Sequence, residues 1–148
     1  MKSKRNYFIK KKKMKGVLLV NLGSPESPEP KDVKPYLDEF LMDARVIDVP
    51  FLLRALLVRG IILRKRPGKS AAAYKKIWWD EGSPLIVISK RMHAKVKNLV
   101  DVPVALAMRY GKPSILSGLQ ELADKGVTEV LLFPLYPQHA MASTETIL

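Results

Sequence analysis

Three stretches of this chain are almost continuously apolar: Lys15–Leu22 (KGVLLVNL), Pro103–Met108 (PVALAM) and Glu129–Leu135 (EVLLFPL). None shows the apolar–polar alternation of a half-exposed strand. Short apolar runs of this kind form strands covered on both faces. Between them the period lengthens to that of helices. Asp32–Met42 places Val33, Tyr36, Leu37, Phe40 and Leu41 on one side. Ser83-Pro84 is a helix start, with Ser as N-cap and Pro in the first turn. After it Leu85, Ile88, Met92, Val96 and Leu99 recur at spacings of three and four, opposite Lys90, Arg91, Lys95 and Lys97. His93 falls on that charged side and reads as solvated. Pro113 opens a helix with Ile115, Leu116, Leu119, Leu122 and Ala123 on one face, ended by Gly126. Ser70–Trp78 reads as a further helix, Trp78-Trp79 as an anchor on the core, and Val46–Val49 as a short extended piece closed by Pro50.

Phe51–Leu63 (FLLRALLVRGIIL) reads as a helix apolar nearly all round. Its two arginines, five residues apart, are separated by about 140° around the axis, so no polar face forms. Gly23–Pro30 must be a loop. Ser143 or Thr144 can cap a new helix and Glu145 suits its first turn. The chain stops one turn later and so reads as cut short. The alternation of strand and helix predicts an α/β domain built on a doubly wound parallel sheet, three-layered and of Rossmann type. That incomplete single domain spans residues 15–148, behind a basic disordered tail over 1–14.

Composition narrows the picture. The chain has 148 residues, 47% hydrophobic and 27% charged, enough for one ordinary core. It has no cysteine, which excludes disulfides, thiolate nucleophiles, Cys-type zinc sites and Cys-ligated clusters within it. The net charge of +12 suggests a nucleic-acid or acidic-membrane partner. Eight of the 26 basic residues lie in the first fifteen positions, however, and the remainder carries only +4. A polybasic run is usually solvated and binds without sequence preference, so no specific nucleic-acid partner is expected. Met14 is a candidate natural start. The tail lacks the apolar core of an export signal, no segment reaches the ~20 apolar residues of a membrane span, and the cytoplasm is the expected compartment.

Ligands of parallel α/β sheets sit outside the carboxyl ends of the strands. Those ends read Asn21-Leu22-Gly23-Ser24-Pro25, Met108-Arg109-Tyr110-Gly111 and Tyr136-Pro137-Gln138-His139. Neither GxGxxG nor GxxxxGK[ST] is present, which argues against a nucleotide. Apolar platforms with one guanidinium suit a flat ligand with acidic edges. Each residue keeps a plain alternative. Arg109 can be a surface arginine paired with a nearby acid, and Tyr110 and Tyr136 can be packing residues. His139 can be a metal, proton-transfer or ring-contact group, or a satisfied loop histidine.

Four ordered blocks then resemble the ferrochelatases: NLGSPE from Asn21, GSPL from Gly82, MRYG from Met108, and PLYPQ followed by a Ser/Thr-rich turn. The resemblance runs from about Lys15 to Leu148 and implies a chelatase-like fold with two similar α/β domains around a porphyrin. It implies a lyase of heme biosynthesis whose substrates, ferrous iron and protoporphyrin, are bound without a permanent cofactor. Coproporphyrin as substrate, or a non-catalytic porphyrin or heme module, are the alternatives. It implies porphyrin contacts at Leu22, Gly23, Ser24, Arg66, Tyr74, Ser83, Arg109 and Tyr110, and a cleft lip at Phe51–Leu63 facing a membrane surface. His139 stands where the family commonly has Tyr. The family's catalytic His and Glu lie in a second domain beyond Leu148. The 148 residues alone are therefore expected to be inactive.

Overall fold

β1 (Lys15–Gly23) lies at the centre of a three-stranded parallel sheet ordered β2–β1–β3, with β2 spanning Val104–Tyr110 and β3 Glu129–Pro134. The computed structural model describes residues 13–136 and Thr146. Val17 stands opposite Val104 and Gly23 opposite Tyr110, while Lys15 stands opposite Glu129 and Val20 opposite Pro134. Successive side chains of β1 enter different cores. Leu18 and Val20 pack with Ala105, Ala107 and Leu122 beneath α5 (Ile115–Asp124). Leu19 packs with Val104, Leu106 and Met108 against Leu85, Ile86 and Val96 of α4 (Pro84–Lys97). A strand buried on both faces needs apolar residues at every position, which accounts for the runs of β1 and β2. β3 departs from that expectation, since Val130, Leu131 and Phe133 are exposed. The sheet is doubly wound, as the sequence predicts.

A third cluster caps the carboxyl end of the sheet. It joins α1 (Pro30–Leu41), a π-helical segment (Leu56–Ile62) that continues α2 (Phe51–Ala55), and α3 (Leu63–Ile77). Val33, Tyr36, Leu37, Leu41, Val58, Leu63 and Ala71 meet Tyr110 there. The predicted helix over Phe51–Leu63 exists, but its hydrogen bonding widens to π after Ala55, and it runs on into the predicted helix at Ser70. Its arginines do not face solvent side by side. Arg54 turns inward, donating to the carbonyls of Ile47 and Val49, and Arg59 pairs with Asp38 of α1. The outer surface is left with Phe51, Leu52, Leu53, Leu56 and Ile61, of which Leu52 is 81% exposed.

Several expectations need correction. Val46–Val49 forms turns rather than a strand, because the Val46 and Ile47 N–H groups donate to the carbonyl of Asp43. Ser83 precedes α4 without a side-chain cap bond, and the start of α5 is capped by Ser114, whose hydroxyl accepts from the Ser117 N–H. In α4 the buried side is rotated from the predicted one. Ile88 and Leu99 are exposed, while Val87 and Ser89 are buried. Ser89 can be inside because its hydroxyl donates to the Leu85 carbonyl and accepts from Asn21 of β1. His93 is not simply solvated: its Nε2 lies 3.0 Å from the Val104 carbonyl at the edge of β2. In α5, Gly118 rather than Leu116 or Leu119 faces the sheet, since a Cβ there would lie 2.7 Å from Leu18 Cδ1. Trp78 packs edge-on to Tyr74, but Trp79 is largely exposed beneath Arg91. The predicted helix start at Ser143–Glu145 lies outside the described residues.

Gly23 sets how closely β1 and β2 approach. Its φ is +106°, and a Cβ there would fall 1.8 Å from the Tyr110 carbonyl oxygen. Gly23→Ala must therefore move backbone, and we expect a loss of about 3 kcal/mol or more in urea unfolding. The control is Gly60→Ala, whose new methyl meets only Leu56 Cδ1 at 3.5 Å. It should leave stability unchanged or raise it by up to about 1 kcal/mol. Equal losses for the two variants would contradict this account.

Candidate functional site

The ends of β1 and β2 stop side by side, and the loops that leave them are shaped by glycine. Gly23 turns β1 into Ser24-Pro25, and Gly111, at φ +82°, turns β2 away from Tyr110. The Gly111 N–H donates to Glu39 of α1 at 3.0 Å, so α1 is tied to both strand ends. Two concavities open beside the β1 loop. The larger, about 470 Å³, is lined by Ser24, Asp32, Tyr36, Glu39, Gly111 and Lys112 among others. The smaller, about 220 Å³, lies between Ser24, Trp78, Gly82, Ser83, Ile86 and Lys112. In the first one Glu26 is paired with Lys112, and Asp32 and Glu39 leave it acidic, so it disfavours a ligand with carboxylate edges. The second brings together Ser24 and Ser83, both buried. The Ser24 hydroxyl has no hydrogen-bond partner among the described residues. An enclosed hydroxyl without a partner is costly and invites a ligand or a water.

Aromatic rings connect the two strand-end regions. Tyr110 stands edge-on to Phe40 at 5.2 Å between centroids, Phe40 stacks with Tyr36, and Tyr36 meets Tyr74 edge-on at 6.5 Å. Tyr74 meets Trp78 at 6.1 Å. Offset and edge-on pairs at these separations are the favoured ones. Tyr36 also donates to the Gly23 carbonyl at 3.3 Å. Burial pushes the phenols of Tyr36, Tyr74, Tyr110 and Tyr136 above their ordinary value. At Tyr36 the neighbouring Tyr74 adds to the rise, and at Tyr110 the carboxylate of Asp43 does. These phenols are thus protonated at neutral pH. They cannot act as bases, and Tyr36 and Tyr110 donate to the Gly23 carbonyl and to Asp43.

Arg109 is ion-paired with Asp43, and their side chains are only 26% and 9% exposed. The same carboxylate oxygen accepts the Tyr110 hydroxyl at 3.1 Å. The guanidinium carbon of Arg109 lies 4.6 Å from the centre of the Tyr110 ring. Of the residues predicted from sequence, Gly23, Ser24, Arg109 and Tyr110 thus converge at the ends of β1 and β2, and Ser83 joins Ser24 across the smaller concavity. Leu22 packs into the helical cluster, and Tyr74 sits in the aromatic row. Arg66 is exposed on α3, close enough to Tyr74 to lower its pKa against the effect of burial. His139 lies outside the described residues. Among the described residues no three His, Asp or Glu side chains are grouped to hold a metal ion.

Residues 14–148 match the ferrochelatase family profile. A ferrochelatase of Ectopseudomonas mendocina is 57% identical over 133 residues, covering 89% of this chain and 39% of that relative. One of Stutzerimonas stutzeri is 56% identical over the same shares, and one of Azotobacter vinelandii is 57% identical over 132 residues. This chain belongs to the ferrochelatase family. It spans 39% of the length of these relatives.

Within this ferrochelatase-family chain, sequence reasoning missed Asp43 and Tyr36. Asp43 follows the end of α1 in an ordinary-looking Met-Asp-Ala-Arg turn, and nothing local ties it to a residue 66 positions later. Tyr36 was visible only as one member of an apolar helix face. Removing the unpartnered hydroxyl by Ser24→Ala should not destabilise the chain. We expect unchanged stability or a gain of up to about 1 kcal/mol in urea unfolding. A loss of about 1 kcal/mol or more would show that the hydroxyl is already satisfied.

Proposed function

We propose that residues 15–148 form the porphyrin-facing N-terminal wall of an enzyme that inserts ferrous iron into protoporphyrin IX. The observation that carries this reading is the convergence of Gly23–Ser24, Ser83, Tyr74 and Arg109–Tyr110 at the carboxyl ends of β1 and β2, in a chain of this family. The half-buried members of the aromatic row, Phe40, Tyr74 and Trp78, supply planar apolar contact for a macrocycle. Helix α3 supplies positive charge for its acidic edges, through Arg64, Lys65, Arg66, Lys69, Lys75 and Lys76. Insertion needs a base for two pyrrole protons and a path that strips water from Fe²⁺. The tyrosines are held protonated and cannot be that base. In this reading the base, a His with a nearby Glu, belongs to the part of the enzyme outside residues 15–148.

In this reading the described residues bind and orient the porphyrin, and the 148 residues by themselves do not turn it over. Adding protoporphyrin IX should shift its Soret band, and Ser24→Ala should weaken the binding by about ten-fold, the worth of one good polar contact. Anaerobic incubation with ferrous iron should give no heme. Turnover comparable to a full-length ferrochelatase refutes the assignment of the base. Absence of any Soret shift refutes the porphyrin wall.

The exposed face of α2 and the π-helical segment is proposed to rest on a membrane surface. Among the described residues no helix is long and apolar enough to cross a membrane. An apolar face of five large side chains followed directly by the basic α3 has the character of an interfacial element. The chain should float with vesicles containing anionic lipid, and the double substitution Leu52→Lys and Leu56→Lys should reduce the bound fraction at least several-fold. Flotation unchanged by that substitution counts against the proposal.

A further inference from the structure

We infer that Asp43 is a positioning residue of this site, and that it commits Arg109 to holding Tyr110 at the end of β2 rather than to capturing a porphyrin carboxylate. The inference rests on the reading that a porphyrin lies at these strand ends.

Asp43 is itself fixed in place. Its Oδ1 accepts the Arg45 N–H at 2.8 Å, and its carbonyl accepts the Val46 and Ile47 N–H groups. Its Oδ2 then takes Nη2 of Arg109 and the hydroxyl of Tyr110 together. An arginine captures a carboxylate best through two parallel N–H groups. Both such forks of a guanidinium include Nη2. A porphyrin carboxylate brought to either would share that nitrogen with Asp43 and stand beside a like charge in a half-buried place. The Nε of Arg109 has no hydrogen-bond partner among the described residues, but it is buried and so closed to a carboxylate arriving from solvent. The pair is neutral as a unit, and Tyr110 is fully buried with its hydroxyl given to Asp43, so the end of β2 presents an internally satisfied cluster rather than a positive charge. Carboxylate recognition then falls to exposed cations elsewhere, of which α3 carries five besides Lys75, which pairs with Glu29. This differs from the role that the family resemblance suggests for Arg109.

Two measurements on the 148-residue chain test it. The first compares protoporphyrin IX with its uncharged dimethyl ester, both delivered in non-ionic detergent and followed by the Soret band. In the otherwise unchanged chain, Arg109→Gln should weaken both porphyrins by the same factor. In the Asp43→Asn background Arg109 is released, and the same substitution should weaken the diacid about ten-fold more than the diester. Selective ten-fold weakening of the diacid by Arg109→Gln alone overturns the inference. The second needs no porphyrin. Asp43→Asn leaves a half-buried guanidinium unpaired, so the double variant with Arg109→Gln should unfold at a higher urea concentration than Asp43→Asn alone. Additive losses overturn the pairing. If neither porphyrin binds, the reading of the site falls, and the unfolding comparison alone decides whether Asp43 holds Arg109.

Discussion

The missing side chain at Gly23 is the constraint on which the rest of this structure depends. β1 and β2 end together, in register, because nothing at Gly23 keeps the Tyr110 carbonyl away. That approach brings Ser24 and Tyr110 to neighbouring positions, lets Tyr36 reach the Gly23 carbonyl, and gives α1 a fixed seat over the sheet. The aromatic row and the Asp43–Arg109 pair are built from residues anchored to that seat. A wider β1–β2 gap would separate the proposed porphyrin contacts before any of them changed chemically.

Charge is distributed with the same economy of direction. Arg54 and Arg59 turn toward carbonyls and Asp38, which strips the outer face of α2 and the π-helical segment of cations and leaves it apolar. Arg109 is neutralised by Asp43. Positive charge at this end of the molecule is concentrated on α3 instead, where Lys75 pairs with Glu29 and five further cations are exposed. An apolar lip, a basic helix behind it and a neutral strand end form a polarity gradient. That gradient suits a ligand with a flat apolar body and acidic edges, approached from a lipid surface.

The strands were legible in the sequence as unbroken apolar runs, which burial on both faces explains for β1 and β2 but not for β3, whose Leu131 and Phe133 are exposed. The helices were legible in position but not always in phase. In α4 the buried Ser89 looks polar to any periodicity, and only its bonds to Leu85 and Asn21 make it an interior residue. In α5 the closest contact with the sheet is made by Gly118, a residue without a side chain to signal it. The strand ends could be named as the site because parallel sheets place ligands there. Asp43 could not, since its meaning lies in partners 66 and 67 positions away. The inward turn of Arg54 was hidden for a related reason: its acceptors are the carbonyls of a turn that reads from sequence as a strand.

The central claim is that a porphyrin ring lies across the carboxyl ends of β1 and β2. Ring-current shifts in the NMR spectrum of the uniformly labelled chain report this most directly, since a macrocycle displaces the resonances of the groups it covers. The account predicts that protoporphyrin IX moves the signals of Leu22–Ser24, Tyr74, Ser83 and Tyr110 most strongly. Shifts centred instead on a second concavity of about 390 Å³, lined by His93 of α4 and Ser117 and Glu121 of α5, would contradict it.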